Sequence, residues 1–308
     1  MQIGIVGTGR MGTAVARRLF EFDHEIRVWN RTVANAKDVL EAGAKWTPTL
    51  TELVDHSEIV ISFLLDNAAV ARVYLGGSGL LSGRVEGRHF IDMSTVSPDT
   101  HWPIAPVMVF RNARFVECPV SGSISAARSG ALVGFAGGEA PDFERVRPLI
   151  EQICRRVEHV GPLGAGARME LAANLLLTVF WQALGESLLL ADPSASDAAR
   201  AVDLLADSNI GAAVLRARAS QVVDAMHGDP SGAAAFDVDT MRKDLRYMAQ
   251  EAIAHGSSLP LATRTLECFD RASREGRGGV DSVAYPAYWL AQQKALAGDG
   301  ARPSQSRT

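Results

Sequence analysis

A glycine-rich segment near the start of the chain constrains the fold more than any other stretch. The β-branched run Ile3–Val6 leads directly into Gly7–Gly12, with the sequence GTGRMG, and the helix formers of Met11–Phe22 follow. A second strand-like run, Glu25–Trp29, ends about twenty residues later, which is the spacing of a dinucleotide-binding βαβ unit. Glycines in such a turn let backbone N–H groups meet a pyrophosphate at the N-terminus of the helix. The candidate contacts to a dinucleotide are Gly7, Gly9, Arg10, Met11 and Gly12.

Strand-like and helical stretches continue to alternate through residues 2–160. The further apolar runs that predict strands are Ile59–Leu64, His89–Met93, Phe115–Glu117, Ala131–Ala136 and Arg156–Val160. The helices predicted between them are Val33–Ala42, Leu50–Val54, Ala68–Leu75 and Phe143–Cys154, with a poorly defined segment near 100–112. Such alternation is typical of a doubly wound, mostly parallel sheet. The first half of the chain is therefore predicted to be an α/β domain of the Rossmann type.

The stretch Gly161–Ala191 predicts one long, buried helix. A turn with three glycines leads into the helix formers of Ala167–Ala191, which would span on the order of 37 Å. Apolar residues occur on nearly every face, which indicates burial. Four residues at spacings of four, four and three share one face, namely Glu170, Asn174, Thr178 and Trp181. A carboxylate and an amide on a buried face cost free energy unless neighbouring backbone or a function uses them.

The rest of the chain reads as helix after helix, with no convincing strand over residues 194–291. A length of 308 residues also suits two domains better than one core. We predict a dinucleotide-binding domain over residues 1–162, an interdomain helix over 163–192, an all-helical domain over 193–296 and a disordered tail over 297–308.

Composition and charge narrow the class of protein. The chain is 47% hydrophobic and 21% charged, as an ordinary globular protein is. Its net charge of −4 gives no electrostatic reason to expect a nucleic acid or an anionic membrane as a partner. The run Leu171–Ala191 is long enough to span a membrane, but the polar residues within it favour a buried interdomain helix.

Cysteine and histidine spacing excludes two further classes of site. The three cysteines, widely spaced and odd in number, form neither a disulfide framework nor a CxxC metal pattern, which fits a reducing, cytoplasmic setting. We expect no secretion signal, because the first residues form a strand-like run without a basic segment or cleavage site. The seven histidines never pair at ligand spacing with cysteines or carboxylates, so the sequence predicts no metal site.

The end of the second strand favours NADP(H) over NAD(H). The turn there reads Trp29-Asn30-Arg31-Thr32, without the Asp or Glu that would hold the ribose 2′-hydroxyl of NAD. A 2′-phosphate would therefore meet no like charge. Arg31 can pair with that phosphate and stack on the adenine, and Thr32 can donate a hydrogen bond. We expect Asn30, Arg31 and Thr32 to bind NADP(H).

Three more motifs follow GTGRMG in an order that resembles the β-hydroxyacid dehydrogenase superfamily, which includes 3-hydroxyisobutyrate dehydrogenases and the related imine reductases. Ile91–Pro98, reading IDMSTVSP, is similar to the family's D-x-S-T-x-x-P segment. Pro119–Gly122 and Ala126–Gly130 together are similar to its P-V-S-G-G…A-x-x-G loop, and Lys243–Leu245 to its K-D-L motif. The resemblance covers roughly residues 1–290. It implies a Rossmann domain, a helical domain and a homodimer that shares the long helices.

The resemblance also implies roles for single residues on the cofactor side. Leu64 and Leu65 belong to a segment similar to that of imine reductases, and Leu65 and Thr95 should lie against the nicotinamide ribose. The lysine of the K-D-L motif, Lys243, should reach the cofactor. The alternatives are that Thr95 only ends a strand and that Lys243 is a solvated helix charge.

On the substrate side, the resemblance implies that Ser121 and Gly122 hold a small-molecule substrate. Ser123 lies in the same loop, where the family has its second glycine. Trp181 is a candidate pocket wall, although an aromatic residue at helical spacing is more often core.

The principal departure from the family lies at the start of the long helix. The family pattern G-x-x-G-x-G-x-x-x-K-x-x-N-N contains a lysine that protonates the substrate oxygen. The three glycines of this chain place Glu170 at the lysine, Ala173 at the first asparagine and Asn174 at the second. Glu170 and Asn174 are therefore the candidate catalytic residues, and the usual acid of a hydroxyacid dehydrogenase is absent.

The charge reversal at Glu170 favours iminium chemistry. A carboxylate would repel a developing alkoxide, whereas it would attract an iminium cation and favour its protonated form. If burial raises its pKa, Glu170 could also donate the proton. Imine reductases commonly carry an acidic residue or a tyrosine at the corresponding place, although IDMSTVSP and PVSG look more like the hydroxyacid branch. Three hypotheses follow: an NADPH-dependent imine reductase or reductive aminase, a carbonyl or hydroxyacid oxidoreductase, and a non-catalytic NADPH-binding module.

Overall fold

The structure, a computed structural model, describes residues 1–191, 197–208, 212–229, 234 and 236–300. It divides into two compact units, Met1–Ala173 and Asn174–Thr308. The boundary lies inside the longest helix, so the domain bounds at residues 162 and 193 stay predictions.

The first unit is built on one twisted sheet of nine strands, all within residues 2–161. The strands are β1 (Gln2–Val6), β2 (Glu25–Trp29), β3 (Lys45–Trp46), β4 (Ile59–Ser62), β5 (His89–Asp92), β6 (Arg114–Glu117), β7 (Val120–Ser121), β8 (Leu132–Gly138) and β9 (Cys154–Gly161). Their order is β3-β2-β1-β4-β5-β6-β8-β7, with β9 also paired to β8. The six strands from β3 to β6 are mutually parallel, and β8 is antiparallel to β6 and β7. All seven predicted strands are present, while the two-residue strands β3 and β7 were not predicted.

Helices cover both faces of this sheet. They are α1 (Arg10–Phe20), α2 (Lys37–Glu41), α3 (Leu50–Asp55), α4 (Asn67–Leu75), α5 (Ala105–Phe110), α6 (Ile124–Arg128) and α7 (Ala140–Ile150). Alternate residues of one strand enter different cores: Ile3 and Ile5 join the cluster on one face, whereas Val6 joins the cluster on the other. Because both faces are buried, the strands read as continuous apolar runs rather than as alternating ones.

A single helix, α8 (Ala165–Ala191), leaves the first unit and continues into the second. With 27 residues, it is long and apolar enough to cross a membrane by length and composition alone, and no other helix of the described residues is. The second unit continues with α9 (Ala198–Asp207), α10 (Ala213–Met226), α11 (Val238–Ala254), α12 (Pro260–Ala272) and α13 (Tyr285–Gly300). Within it, the ring of Tyr285 packs on Phe269 and its hydroxyl donates to Gln182 Oε1 at 2.5 Å.

The fold class is confirmed: a parallel-dominated α/β unit of the Rossmann type is followed by a long helix and a helical region. The structure continues α13 to Gly300, past the start of the predicted tail at residue 297. Residues 301–308 lie outside the described residues.

Candidate active site

A cleft of about 750 Å³ opens where four parallel strands end in the first unit. Gly7, Trp29, Phe63 and Met93, which line it, directly follow or end β1, β2, β4 and β5. In open α/β sheets, the carboxyl ends of strands next to a change in strand order are where ligands bind. The residues of the predicted cofactor set that line the cleft are Gly7, Gly9, Arg10, Met11, Gly12, Asn30, Arg31, Thr32, Leu64, Leu65 and Thr95.

The glycine-rich loop has the shape that a pyrophosphate requires. Gly7 has a φ of +93°, and a Cβ added there would lie 2.1 Å from the carbonyl oxygen of Phe63. A Cβ at Gly12 would lie 2.1 Å from the carbonyl oxygen of Gly7. Gly9, by contrast, has nothing within 4 Å of its added Cβ, so it borders open space in the cleft. Two glycines therefore allow the turn, and the third leaves room for a ligand beside the N-terminus of α1.

The turn after β2 contributes one basic side chain and two uncharged polar side chains to the cleft. Asn30 is part of the scaffold: its Oδ1 accepts from Thr8 N at 3.2 Å and its Nδ2 donates to Thr32 O at 2.8 Å. Arg31 and Thr32 are exposed on the cleft wall, and no carboxylate occupies the turn. Arg72 of α4 also lines the cleft. Sequence patterns did not single out Arg72, because the sequence of a helix does not show which of its side chains face a cleft formed by other segments. These residues fit a dinucleotide with a 2′-phosphate.

The end of β5 brings the predicted nicotinamide segment to the same cleft. Ser94 Oγ donates to Asp92 Oδ1 at 2.7 Å and accepts from the backbone N–H of Leu64 at 2.8 Å, which ties the ends of β4 and β5 together. Thr95 follows on the cleft wall. Its Oγ1 donates to Glu170 Oε1 at 2.7 Å.

Glu170 is thus a buried carboxylate one hydrogen bond behind the cleft wall. It is 3% exposed and lies in the first turns of α8, within the first unit. Glu170 also affects the thiol of Cys118. Burial raises the pKa of Cys118 well above its ordinary value, and Cys154, Glu117 and Glu170 add to the rise. The structure therefore brings the predicted catalytic carboxylate and the predicted nicotinamide residue Thr95 into direct contact.

The predicted substrate loop lies next to this cleft, after Val120 on its wall. Gly122 has a φ of +145°, and its added Cβ would lie 2.7 Å from Leu132 Cδ2, so a glycine is required there. Ser123, which replaces the family's second glycine, caps the N-terminus of α6 by accepting from Ala126 N at 3.2 Å. Ser121 pairs with Val133 in the sheet. Contact of these residues with a substrate stays a prediction.

The other predicted site residues belong to the second unit. Asn174 Nδ2 donates to Asp244 Oδ2 at 3.3 Å, and Lys243 Nζ lies 3.1 Å from Asp244 Oδ1. Burial raises the pKa of Asp244, and the Lys243 ammonium opposes that rise. Trp181 is 1% exposed and packs edge-on against Phe180 at 5.2 Å between ring centroids. The roles predicted for Asn174, Lys243 and Trp181 at cofactor or substrate stay predictions.

Sequence patterns missed a buried cluster beneath the cleft. Asp92 and Glu117 are register partners at the ends of β5 and β6, and His101 lies between them with 1% exposure. His101 Nε2 is 2.7 Å from Asp92 Oδ2, and His101 Nδ1 is 3.0 Å from Glu117 Oε2. The available signal was two acidic residues, one next to the end and one at the end of two consecutive predicted strands, because two buried carboxylates side by side require a compensating cation. Among the described residues, no group of three or more His, Cys, Asp or Glu side chains has an arrangement that could hold a metal ion.

Family models match nearly the whole chain. One described as the NAD binding domain of 6-phosphogluconate dehydrogenase matches residues 2–161, and one described as the NAD-binding region of NADP-dependent 3-hydroxyisobutyrate dehydrogenase matches residues 164–289. Together with the cleft, they define the class of NAD(P)-dependent oxidoreductases. The chain belongs to the β-hydroxyacid dehydrogenase superfamily, as its motifs predicted, and its cofactor is NADP(H), in line with the NADP-dependent family of the second model.

Curated relatives carry two kinds of name. Glyoxylate/succinic semialdehyde reductase 1 of Arabidopsis thaliana is 30% identical over 92% of this chain and 96% of its own length. Cytokine-like nuclear factor N-PAC of Gallus gallus is 30% identical over 93% of this chain, which spans about half (51%) of that longer protein.

Solved structures give the same fold. A 3-hydroxyisobutyrate dehydrogenase from Salmonella typhimurium has a TM-score of 0.81 at 26% identity, over 94% of this chain and 99% of its own. Psf3 in complex with NADP+ and 2-OPP has a TM-score of 0.81 at 25% identity, over 93% and 99%. A reductive aminase from Aspergillus terreus with NADPH has a TM-score of 0.58 at 22% identity, over 94% and 99%, and this likeness concerns the fold alone.

Proposed function

We propose that the protein is an imine reductase or reductive aminase in which Glu170 acts where the family has its lysine. The observation on which the proposal rests is the buried carboxylate of Glu170, which accepts a hydrogen bond from Thr95 on the wall of the cofactor cleft. NADPH supplies the hydride for such a reduction. The chain's own contribution is to hold a negative charge, rather than a positive one, beside the reacting carbon and nitrogen.

The sign of the charge decides between substrates. Two unit charges about 4 Å apart interact by about 4 kcal/mol at an effective dielectric constant of 20. A carboxylate at this position would favour a protonated C=N group by at most an energy of that order, because Thr95 lies between Glu170 and the cleft. It would disfavour both an alkoxide and the carboxylate of a hydroxyacid by a similar amount. Glu170 therefore supports the reduction of a small cationic substrate more than that of an anionic one.

The second candidate is a carbonyl or hydroxyacid oxidoreductase. It is favoured by the 30% identical relative, whose name is that of a glyoxylate and succinic semialdehyde reductase. In this case Glu170 would have to be protonated to donate a hydrogen bond to the substrate oxygen, or another group would supply the proton.

The test is NADPH consumption by the whole protein on a paired panel of small cyclic imines, β-semialdehydes and keto acids. We expect turnover on the imines. Glu170→Gln should lower kcat on them by about a hundredfold or more, because it removes the charge and keeps the shape. NADPH affinity should change little. Glu158→Gln, at an exposed carboxylate of β9, is the matched control and should leave kcat unchanged.

Three outcomes contradict the proposal. Turnover restricted to the semialdehydes or keto acids would favour the second candidate. An unchanged kcat in Glu170→Gln would exclude a catalytic role for this carboxylate. NADPH binding without turnover on any compound would instead support the non-catalytic binding module.

We also propose that the protein is a cytoplasmic homodimer that binds small molecules and has neither nucleic acid nor membrane as a partner. The family resemblance supports the dimer, and the net charge of −4 and three free, buried cysteines support the rest. Light scattering of the purified chain would reveal a monomer if the dimer is wrong.

A further inference from the structure

The cluster under the cleft places one imidazole between two carboxylates. Both ring nitrogens of His101 face a carboxylate oxygen, at 2.7 Å on the Asp92 side and 3.0 Å on the Glu117 side. A neutral imidazole has only one N–H to donate, so one carboxylate would then face a nitrogen lone pair. An imidazolium donates to both. With both carboxylates ionised, the geometry therefore favours an imidazolium at His101.

The groups around His101 agree with this charge. Burial alone would lower the pKa of His101, but the hydrogen bonds and charges of Asp92 and Glu117 outweigh it and raise the pKa to about 9. Tyr74 of α4 reaches the cluster through Ser62, and Cys118 follows Glu117. Burial first, and the Asp92 charge next, raise the pKa of Tyr74 well above its ordinary value. Burial first, and then Cys154, Glu117 and Glu170, raise the pKa of Cys118 in the same way, so both groups stay neutral.

On its first side, the cluster supports the nicotinamide segment. Asp92 Oδ1 accepts from Ser62 Oγ at 2.5 Å and from Ser94 Oγ at 2.7 Å. Ser94 in turn accepts from Leu64 N on the cleft wall. Thr95, the next residue, donates to Glu170.

On its second side, the cluster supports the start of α8. Glu117 Oε1 accepts from the backbone N–H groups of Gly164 and Gly166, at 2.6 and 2.8 Å. No side chain fits at Gly166, because its added Cβ would lie 2.3 Å from the carbonyl oxygen of Phe135. Glu170 is one helical turn further along α8. The imidazole of His101 thus links Asp92, which holds the segment of Thr95, to Glu117, which holds the start of the helix that carries Glu170.

We propose that His101 is a positioning residue, whose imidazolium holds Asp92 and Glu117 and through them sets Thr95 and Glu170 against each other at the cleft. It touches neither cofactor nor substrate. The proposal rests on the proposed function to the extent that Glu170 acts on the substrate.

The first experiment needs no substrate, and it uses variants only to assign the signal. Histidine-selective 15N labelling of the full chain with NADPH bound should show one imidazole with both nitrogens protonated at pH 7.5, and titrating near pH 9. His101→Gln should remove that signal, whereas His56→Gln, at an exposed histidine, should not. A neutral imidazole at position 101 would overturn the proposal.

The second experiment measures the positioning. On whichever compound of the panel is reduced, His101→Gln should lower kcat by about tenfold to a hundredfold with NADPH affinity nearly unchanged, because a displacement of about 1 Å has such an effect. The double variant His101→Gln/Glu117→Gln also removes one of the two carboxylates that face the imidazole. It should therefore recover part of the loss in kcat. If His101→Gln alone fails to fold, the kcat of the double variant tests the positioning role in its place.

The two proposals fail differently. An unchanged kcat in His101→Gln, together with a large loss in Glu170→Gln, overturns the positioning role and leaves the proposed function standing. An unchanged kcat in Glu170→Gln overturns the proposed function, whatever His101→Gln does.

Discussion

The prediction that this protein binds NADP(H) rests on single side chains of the cleft wall. Arg31 is exposed beside Thr32, and Asn30 anchors their turn to the glycine-rich loop through Thr8. Asn30 was predicted as a cofactor contact, and in the structure both ends of its amide are used to shape the loop. A sequence reveals that a carboxylate is absent from this turn. It does not reveal which of the remaining polar side chains will form hydrogen bonds with the backbone instead of with the cofactor.

The Arg31 guanidinium provides the first test at this scale. Arg31→Ala should weaken NADPH binding by about tenfold to a hundredfold, because a charge-assisted bond to a phosphate contributes roughly 1.5–3 kcal/mol. NADH binding should barely change, since NADH has no 2′-phosphate. Titration of intrinsic fluorescence with each cofactor measures both. Arg84→Ala, at an arginine whose side chain is 87% exposed, is the control, and equal loss for both cofactors would contradict the assignment.

At the scale of elements, strands with two buried faces were the easiest to predict. Their apolar runs need no knowledge of a partner strand, so β1, β2 and β4 were found within two residues. The two-residue strands β3 and β7 form only because longer neighbours offer free edges. Helix α6 begins at Ile124 and is capped by Ser123, in a segment where the family pattern led us to expect a loop. Short elements follow tertiary pairing more than local pattern.

The glycine-rich loop allows a matched pair of variants. Gly12→Ala should destabilise the protein by about 1–3 kcal/mol, because its Cβ would overlap the carbonyl oxygen of Gly7 at 2.1 Å. Gly9→Ala should leave the stability nearly unchanged, since its backbone is extended and its Cβ meets nothing within 4 Å. It should nevertheless weaken NADPH binding by filling the cradle. Thermal unfolding with and without NADPH separates the two effects, and an equal loss of stability in both variants would refute this interpretation of the loop.

At the scale of the whole molecule, the sequence signals two buried carboxylates but not the histidine that joins them. Asp92, His101 and Glu117 come from three separate segments, and they meet only once β5 and β6 have paired. His101 has no ligand-like spacing to either carboxylate. Glu170, in contrast, was found because a family pattern gives its position in the chain. Motifs fix positions along a sequence, whereas a charge network depends on distances through space.

The cluster also makes the stability of the fold depend on pH. His101 has a folded-state pKa of about 9 against an ordinary value of 6.5, so the folded state keeps a proton that the unfolded chain releases in this window. The free energy of unfolding should therefore fall as pH rises from 6.5 to about 9, by up to about 3 kcal/mol.

Urea unfolding of the full chain at several pH values measures this dependence. The double variant His101→Gln/Glu117→Gln has no imidazole to titrate at this place, so the decline specific to the cluster should be absent from it. Parallel declines in the two proteins would show that other groups are responsible.

The carboxylate behind Thr95 has a consequence for the history of such proteins. Glutamate and lysine codons differ by one base, so a single nucleotide substitution exchanges an anion for a cation at position 170. The interior that would receive the lysine already holds two carboxylates, Asp92 and Glu117, around one imidazole. If Glu170 selects cationic substrates, one point mutation exchanges this selectivity for the one that a lysine would give, in either direction.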